Sequence, residues 1–268
     1  MKLTKKMPAA KIPALILCGV MAAFPLFAGE AEVTDGRAVI KKSHDAPSPS
    51  YTHTLVRMEL IEQNGNTETR VVEEWGKEKD GLKSTVMVFR SPASVKDTRF
   101  LQIENKDRAD DKWIYLPALR TTRRIAASEG SKPFMGTDAS YDDMSSREVD
   151  DDSHELLSEK KANGYDCWEV RSTPKDPSSS EYSYRIVCID KETLLPVYSQ
   201  MFDKKGRLLK ELTVENIRKV QEYNIPVSSL LKNIQSGHST RMVITNIEVD
   251  KPVSDSVFTQ NFLNTGRP

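Results

Sequence analysis

Short segments with strand-like sequence follow one another along most of this chain, and they constrain its fold more than any other feature. Between residues 52 and 60, apolar Val56, Met58 and Leu60 alternate with mostly polar side chains, which is the period of a strand with one buried face. Turn-forming residues at 64–66 separate this segment from the next. The same reasoning predicts eleven strands, at residues 52–60, 69–77, 82–90, 100–105, 112–117, 165–172, 182–190, 197–203, 208–218, 223–232 and 240–250.

The connectors between most of these strands have the length of turns. The sequence therefore predicts a mainly β fold, in which one antiparallel sheet is strongly curved or closed as a barrel. Strands do not alternate with long helices, which argues against a doubly wound nucleotide-binding fold. About 240 residues follow the first 28, enough for one large domain or two small ones. The unbroken series favours a single domain at 51–268, preceded by a helix or linker at 29–50.

The first 28 residues have the pattern of a secretory signal. Four lysines and no acid precede an apolar stretch from Ile12 to Phe27, and a small residue, Ala28, marks the expected cleavage region. An uncleaved anchor or lipid attachment at Cys18 are the alternatives. The remaining chain carries 35 basic and 39 acidic residues, a net charge of −4, without the basic excess typical of nucleic-acid binding. We expect an exported protein, soluble after cleavage, that binds no nucleic acid.

Two cysteines, Cys167 and Cys188, remain after signal cleavage, and they lie on two predicted strands. Two thiols in an exported protein suggest a disulfide, which would stabilise a loop of this size by about 3 kcal/mol. The alternative is a pair of buried free thiols. Two cysteines alone do not make a usual structural zinc site, so we expect neither a metal nor another cofactor.

A segment at residues 118–162 interrupts the strand pattern. Asp138 is a plausible N-cap for a short helix at 139–144, in which Tyr141 and Met144 would share a face. We expect short helices inserted here to cover an open face or end of the sheet.

Several stretches of the chain resemble a known family. WIYLPALRTTRRI at 113–125 and PFMGTDASYDDM at 133–144 resemble the core signature of the LolA-like outer-membrane lipoprotein-sorting proteins. MFDKKGRLLKELTVENI at 201–217 and HSTRMVITNIEVDKPVSDSVFTQNFL at 238–263 resemble its later strands and its closing motif. The likeness extends over about 50–268, most of the mature chain.

This resemblance implies an incomplete, half-open antiparallel β-barrel with short helices over its mouth. It implies a monomeric periplasmic carrier, not an enzyme, whose hydrophobic cavity holds acyl chains of lipoproteins or lipids and transfers them between membranes. It also implies an inner-membrane partner, a transporter of the resistance-nodulation-division type. The alternatives are an exported lipid hydrolase that uses the same cavity, and an accessory subunit of such a transporter that carries nothing itself.

An acyl carrier needs a large apolar interior, since each buried CH₂ contributes about 0.8 kcal/mol and a fourteen-carbon chain on the order of 10 kcal/mol. Broad or adaptable apolar side chains cluster near the motif, and core packing is the alternative role for each of them. The candidate cavity residues are Trp113, Tyr115, Leu119, Phe134, Met135, Tyr141 and Met144. Arg120, Arg123 and Arg124 are candidates for holding the lid or a lipid phosphate, or they form exposed surface ion pairs.

Other chemistry has weaker support in the sequence. The acidic run at 150–155 lacks the glycine and spacing of a calcium loop, and His154-Glu155 lacks the second histidine of a zinc protease. We expect a solvated acidic loop there. A Gly-x-Ser-x-Gly motif and a phosphate-binding glycine loop are absent from the sequence, and nothing identifies a catalytic triad among the four histidines.

Overall fold

The computed structural model describes residues 35–268, so the expected signal peptide lies outside the described residues. Two α-helices, Gly36–His44 (α1) and Gln260–Thr265 (α2), flank the strands. The thirteen strands are Tyr51–Ile61 (β1), Thr67–Lys79 (β2), Leu82–Ser91 (β3), Arg99–Ile103 (β4), Asp111–Leu116 (β5), Thr121–Arg124 (β6), Asp152–Ala162 (β7), Tyr165–Pro174 (β8), Tyr184–Asp190 (β9), Pro196–Phe202 (β10), Leu208–Val220 (β11), Tyr223–Asn233 (β12) and Ser239–Val249 (β13). Four short 3₁₀ helices lie at Ala127–Glu129, Val149–Asp151, Pro177–Ser179 and Asp255–Phe258.

All thirteen strands form one antiparallel sheet in the order β6-β5-β4-β3-β2-β1-β13-β12-β11-β10-β9-β8-β7. Two meanders, β1–β6 and β7–β13, therefore join through the pairing of β1 with β13. The sheet does not close, because β6 and β7 are its two edges. This confirms the predicted mainly β, half-open architecture.

Each of the eleven predicted strands is present, and the sequence pattern missed two. Strand β6 has no apolar residue, and strand β7 is dominated by charged and polar side chains, so neither shows the alternation of a half-buried strand. Both are edge strands, where charged side chains protect against pairing with another chain. The prediction of a solvated acidic loop at 150–155 is therefore wrong. Asp150 and Asp151 end a 3₁₀ helix, and β7 begins at Asp152.

The outer face of β3–β5 is covered by the C-terminal residues. Val86, Val88 and Leu101 point outward and pack against Phe262 and Leu263 of α2. The alternate residues of the same strands, such as Met87 and Phe100, belong to a second cluster on the inner face. Strands β3–β5 are therefore apolar on both faces because both faces are buried.

Helix α1 begins at an N-cap, Asp35, whose side chain accepts a hydrogen bond from the Arg37 amide. Its buried Val39 packs with Trp168 and Ile189 of the second meander. Within residues 35–268, no helix is long and apolar enough to cross a membrane.

The segment at residues 125–151, called the bridging segment below, connects the two sheet edges, β6 and β7. It consists of turns and two 3₁₀ helices, so the predicted α-helix at 139–144 is wrong. The Asp138 carboxylate does not cap a helix but accepts a hydrogen bond from Thr240 Oγ1 at 2.7 Å and contacts His238 Nδ1 at 2.7 Å. Tertiary contacts with β13 thus replace the local cap.

Both thiols of Cys167 and Cys188 are free and buried, so the expected disulfide is not formed in this structure. The sheet register places Cys167 opposite Asp190, and Cys188 opposite Glu169. The two cysteines are therefore diagonal neighbours, whose Cα atoms in a sheet lie about 7–8 Å apart, beyond the usual span of a disulfide. Burial raises the pKa of the Cys167 thiol to about 11.

Candidate functional site

A cavity of about 660 Å³ lies between the inner face of the sheet and the bridging segment. Its wall includes Val56 on β1, Phe100 on β4 and Leu212 on β11, strands that are far apart in the sheet order. The sheet must curve strongly for these side chains to line one space. The volume falls within the range of roughly 300–1,000 Å³ that is typical of small-molecule sites.

Flexible apolar side chains supply much of the cavity wall. Five of the nine methionines line it, namely Met58, Met87, Met144, Met201 and Met242. Methionine has an unbranched, polarisable side chain that adapts to ligands of irregular shape. Ile225, Ile244 and Ile247 add apolar surface from β12 and β13. The wall is thus suited to a flexible hydrocarbon chain.

A polar row crosses one side of the cavity. The register aligns Thr52, Gly76, Thr85 and Gln102 on neighbouring strands β1 to β4. A Cβ atom at Gly76 would collide with the Thr52 hydroxyl, so only glycine fits there without a shift. The cavity therefore has an apolar part and a hydrogen-bonding border.

Glu74 lies between the polar row and the apolar part, directly opposite Thr54. Burial raises the pKa of Glu74 to about 7. The carboxyl group is therefore readily protonated near neutral pH, and as a neutral acid it can donate a hydrogen bond.

Three buried side-chain atoms among residues 35–268 have no hydrogen-bond partner: Thr54 Oγ1, Gln102 Oε1 and Arg185 Nη1. All three residues line the cavity. Buried polar groups are nearly always paired in folded proteins, so an unpaired set that converges on one space indicates a ligand site.

Ionic contacts hold the bridging segment to the second meander. Asp143 Oδ2 lies 2.9 Å from Lys210 Nζ on β11, and the Tyr182 hydroxyl donates to the same carboxylate at 2.9 Å. Burial alone would raise the pKa of Asp143, but the Lys210 ammonium, the Ser140 amide and Tyr182 lower it below its usual value. Lys210 is only 5% exposed and also contacts Glu181 at 3.3 Å. These contacts fix this part of the bridging segment to the sheet.

On the first meander, Arg70 Nη1 donates to the Met135 carbonyl at 2.5 Å, which fixes another part of the bridging segment. The Phe134 ring packs against Phe100 and Tyr141, with centroids 5.0 and 5.6 Å apart. The bridging segment thus contacts both halves of the sheet and roofs the cavity between them.

The candidate cavity residues fall into two groups. Phe134 and Met144 line the cavity, and Tyr141 and Met135 pack in the adjoining inner cluster. Contrary to expectation, Trp113 and Tyr115 lie on the outer face and pack against the α2 cluster. Leu119 is 69% exposed. Trp113 and Tyr115 lie outside the cavity because alternate residues of β5 point to opposite faces, and Leu119 lies outside it because it belongs to the exposed turn after β5.

The three candidate arginines lie on the surface. Arg123 pairs with Glu129 at 3.0 Å and Arg124 with Asp111 at 2.6 Å, with both arginine side chains more than two-fifths exposed. Arg120 is exposed beyond β5, with a left-handed φ of 51°. For Arg123 and Arg124 this arrangement matches the alternative of exposed ion pairs, which contribute about 0–1 kcal/mol each.

The sequence reasoning missed the cavity residues Glu74, Arg147 and Arg185, and the anchor Lys210. Glu74 and Lys210 lie at inward-facing positions of predicted strands. A charged residue at a position where the alternation calls for an apolar one was therefore the sequence signal that could have identified them. For Arg147 and Arg185 the sequence offered no such signal, because their positions at the cavity depend on contacts with residues from distant segments of the chain. Among the described residues, no cluster of three or more His, Cys, Asp or Glu side chains could hold a metal ion.

Comparisons with known proteins agree with this fold. A family model with the description "Uncharacterized protein" matches residues 81–265, more than half of the chain. A solved outer-membrane lipoprotein-sorting protein domain from Vibrio parahaemolyticus is 28% identical, with a TM-score of 0.81 over 85% of this chain and 98% of that one. A DUF1329 family protein from Desulfovibrio piger is 27% identical, with a TM-score of 0.81 over 85% and 97%.

A LolA superfamily protein from Nitrosomonas europaea shares the fold at 16% identity, with a TM-score of 0.67 over 85% of this chain and 99% of that one. No curated protein sequence matches this chain significantly. The chain therefore belongs to the family whose model it matches, and it shares the fold of solved LolA-like and lipoprotein-sorting structures.

Proposed function

We propose that this protein is a periplasmic carrier that encloses acyl chains of lipoproteins or lipids and transfers them between membranes. Residues 1–28 would direct export and be removed, and 51–268 would form the carrier domain behind the helical linker at 29–50. The observation that carries the proposal is the cavity of about 660 Å³ with its flexible, methionine-rich wall under the bridging segment. The similarity to lipoprotein-sorting structures supports the same class of cargo.

The cavity is suited to reversible binding. Its apolar wall rewards burial of hydrocarbon, at about 0.8 kcal/mol per CH₂ group. At the border, Glu74, Thr54 and Gln102 can form hydrogen bonds with a polar linkage of the ligand. Deeper in the apolar part such a linkage would be buried without a hydrogen bond, which costs free energy. Release to a membrane then requires only a competing apolar environment. An inner-membrane transporter of the resistance-nodulation-division type is the partner we propose, and a pull-down from solubilised membranes tests that contact.

Cavity filling tests the carrier proposal directly. Ile244 lines the cavity, whereas its neighbour Val243 lies opposite Arg57 on the other face. We expect Ile244→Trp to displace about two CH₂ groups of a bound chain and to weaken binding about tenfold. Displacement of a fluorescent fatty acid from delipidated protein measures the affinity.

The matched control is Val243→Trp, which should leave the affinity unchanged. If delipidated wild-type protein binds neither fatty acid nor acylated peptide, the carrier proposal is wrong.

We propose carriage rather than catalysis, and the histidine contacts support this choice. His154 Nδ1 contacts Ser172 Oγ at 2.9 Å, but its Nε2 contacts the Val149 carbonyl and not a carboxylate. His238 contacts Asp138, whose other partner is the Thr240 hydroxyl. Neither set arranges serine, histidine and acid in the order that a hydrolase needs.

A further inference from the structure

A second space of about 680 Å³ adjoins the apolar cavity. Asp142, Ser145, Arg147 and Arg185 line both spaces, so the two meet at these side chains. Most residues that line the second space are polar or charged, and many of them belong to the bridging segment and to residues 178–182. Together they form an amphipathic site with an apolar chamber and a polar chamber.

Arg185 stands at the junction with an incomplete set of partners. Its Nη1 atom is buried without a hydrogen-bond partner, and its Nη2 atom donates to Ser180 Oγ at 3.3 Å. The nearest carboxylate contact is Asp152 Oδ2, 3.9 Å from Nη1. Arg147 already binds Asp152 through two hydrogen bonds, of 2.6 and 3.2 Å.

The Arg185 guanidinium is held in place by its neighbours. It lies over the Tyr182 ring, 4.6 Å from the centroid, and that ring is almost fully buried. Burial and the adjacent Arg147 lower the pKa of Arg185, as expected for a cation whose charge is not fully balanced. A preorganised, unsaturated guanidinium of this kind binds oxyanions well.

The carboxylates of the polar chamber already have partners. Asp142 lies 3.5 Å from Lys112 Nζ, and Glu181 lies 3.3 Å from Lys210 Nζ. Asp110 accepts from Ser145 Oγ at 2.6 Å, and Asp151 accepts from the Glu148 amide at 3.1 Å. Among the cations of the chamber, Arg124 is also paired, with Asp111. Among the chamber cations in the described part of the chain, Arg185 is thus the one with a buried donor atom that has no hydrogen-bond partner.

We propose that the polar chamber binds the anionic head group of an acyl ligand, a phosphate or a carboxylate, through Arg185. This inference rests on the proposed carrier function, because the acyl chain would occupy the adjoining apolar cavity. The cargo would then be an anionic amphiphile, and neutral lipids with the same chain would bind more weakly.

Ligands with the same acyl chain and different head groups test this inference in the full-length mature protein. Palmitoyl lysophosphatidic acid, palmitate and monopalmitoylglycerol are each titrated against a bound fluorescent acyl probe. We expect at least one anionic ligand to bind about tenfold more tightly than monopalmitoylglycerol, the contribution of one charge-assisted hydrogen-bonded contact. The stronger of the two anions identifies phosphate or carboxylate as the head group.

Arg185→Gln should reduce the preference for the anion to within about twofold, because it weakens binding of the anion more than binding of monopalmitoylglycerol. Arg185→Lys, which keeps the charge, should retain part of the preference. The matched control is Arg171→Gln, since Arg171 also stacks on a tyrosine, Tyr184, but is exposed. It should leave all three affinities unchanged.

Equal affinity of the wild-type protein for charged and neutral ligands would overturn the head-group proposal and leave the carrier function intact. So would a preference that survives in Arg185→Gln. Failure of the wild-type protein to bind any of the three ligands would instead contradict the carrier function. If Arg185→Gln does not fold, the wild-type comparison and Arg185→Lys still decide the question.

Discussion

At the scale of single residues, Glu74 and Glu73 show how the two faces of one strand give adjacent glutamates opposite properties. Glu74 faces the cavity, and burial raises its pKa to about 7. Glu73 contacts His53 and Arg90 on the other face. Burial alone would raise the pKa of Glu73, but these two partners lower it below its usual value. One strand thus carries one carboxyl group that favours the neutral form and one that favours the charge.

The stability of the protein should therefore depend on Glu74 between pH 4.5, its ordinary pKa, and about 7. In this window the folded protein keeps a proton that the unfolded chain has lost, so the free energy of unfolding falls as the pH rises. We expect Glu74→Gln to remove this loss and to be more stable than wild type by about 2 kcal/mol at pH 8, allowing for water in the cavity. Urea unfolding at pH 4 and pH 8 measures the difference, which should vanish at pH 4.

The neighbouring Glu73→Gln is the control and should have the opposite sign. Its lowered pKa stabilises the fold above the ordinary pKa, and that stability is lost as the pH falls through the folded value. An equal response of both variants to pH would show that cavity burial is not the cause.

At the scale of structural elements, the bridging segment is decisive, although it contains little regular structure. The side chains of Asp138 and Asp143 contact β13 and β11, and the Met144 carbonyl accepts a hydrogen bond from Gln102 on β4. These contacts, rather than helix formation, determine its path. The bridging segment therefore covers the cavity, and its position depends on a small number of buried polar contacts.

Among these contacts, the one between Asp143 and Lys210 should contribute most to holding the bridging segment on the sheet. Asp143→Asn leaves the buried Lys210 ammonium with Glu181 alone, so we expect a loss of about 2 kcal/mol at neutral pH. Because the folded pKa of Asp143 is lowered, the difference from wild type should shrink as the pH falls below that value. Denaturant unfolding gives the free energy, and hydrogen exchange of residues 125–151 reports local opening.

Asp142→Asn provides a matched control one residue away. Asp142 is about half exposed and contacts Lys112 only at 3.5 Å. We expect a change of less than about 0.5 kcal/mol. A loss as large as that of Asp143→Asn would argue against a dominant role of the Lys210 contact.

At the scale of the whole molecule, the chain forms one sheet from two meanders, with the seam at β1 and β13. Since β13 pairs with both β1 and β12, it holds the two halves together. The last helix, α2, then returns to cover the outer face of the first meander. Both halves are therefore expected to unfold as one cooperative unit.

Deletion of residues 234–268 should abolish cooperative folding, because it removes β13 and α2 and exposes the central edge of β1. Deletion of residues 267–268 alone should leave the thermal transition unchanged, since both residues are exposed. Differential scanning calorimetry of both forms checks this. Two resolved transitions in the wild-type protein would contradict the single-unit interpretation.

The strand pattern could be predicted from local sequence, because each strand with one buried face reports its own burial. Val56, Met58 and Leu60 on β1 are buried in the inner cluster as their alternation indicates. The mainly β architecture follows from the same local patterns, whereas its half-open form and the importance of the segment around Phe134 were implied by the family resemblance. Edge strands such as β7 escaped prediction because their exposed side chains carry no such period.

The sequence by itself thus determined eleven of the thirteen strands of the described residues, those with a buried face, and it indicated that an apolar interior had to be enclosed. Only the tertiary structure decided which face of each strand lines the cavity. The physical reason is that both faces of β3–β5 are covered, one by α2 and one by the bridging segment, so alternation alone could not assign Trp113 and Tyr115 to a side. The polar groups of the site were decided in the same way, since the contacts of Arg185, Asp143 and Glu74 depend on residues that the curved sheet brings together from distant parts of the chain.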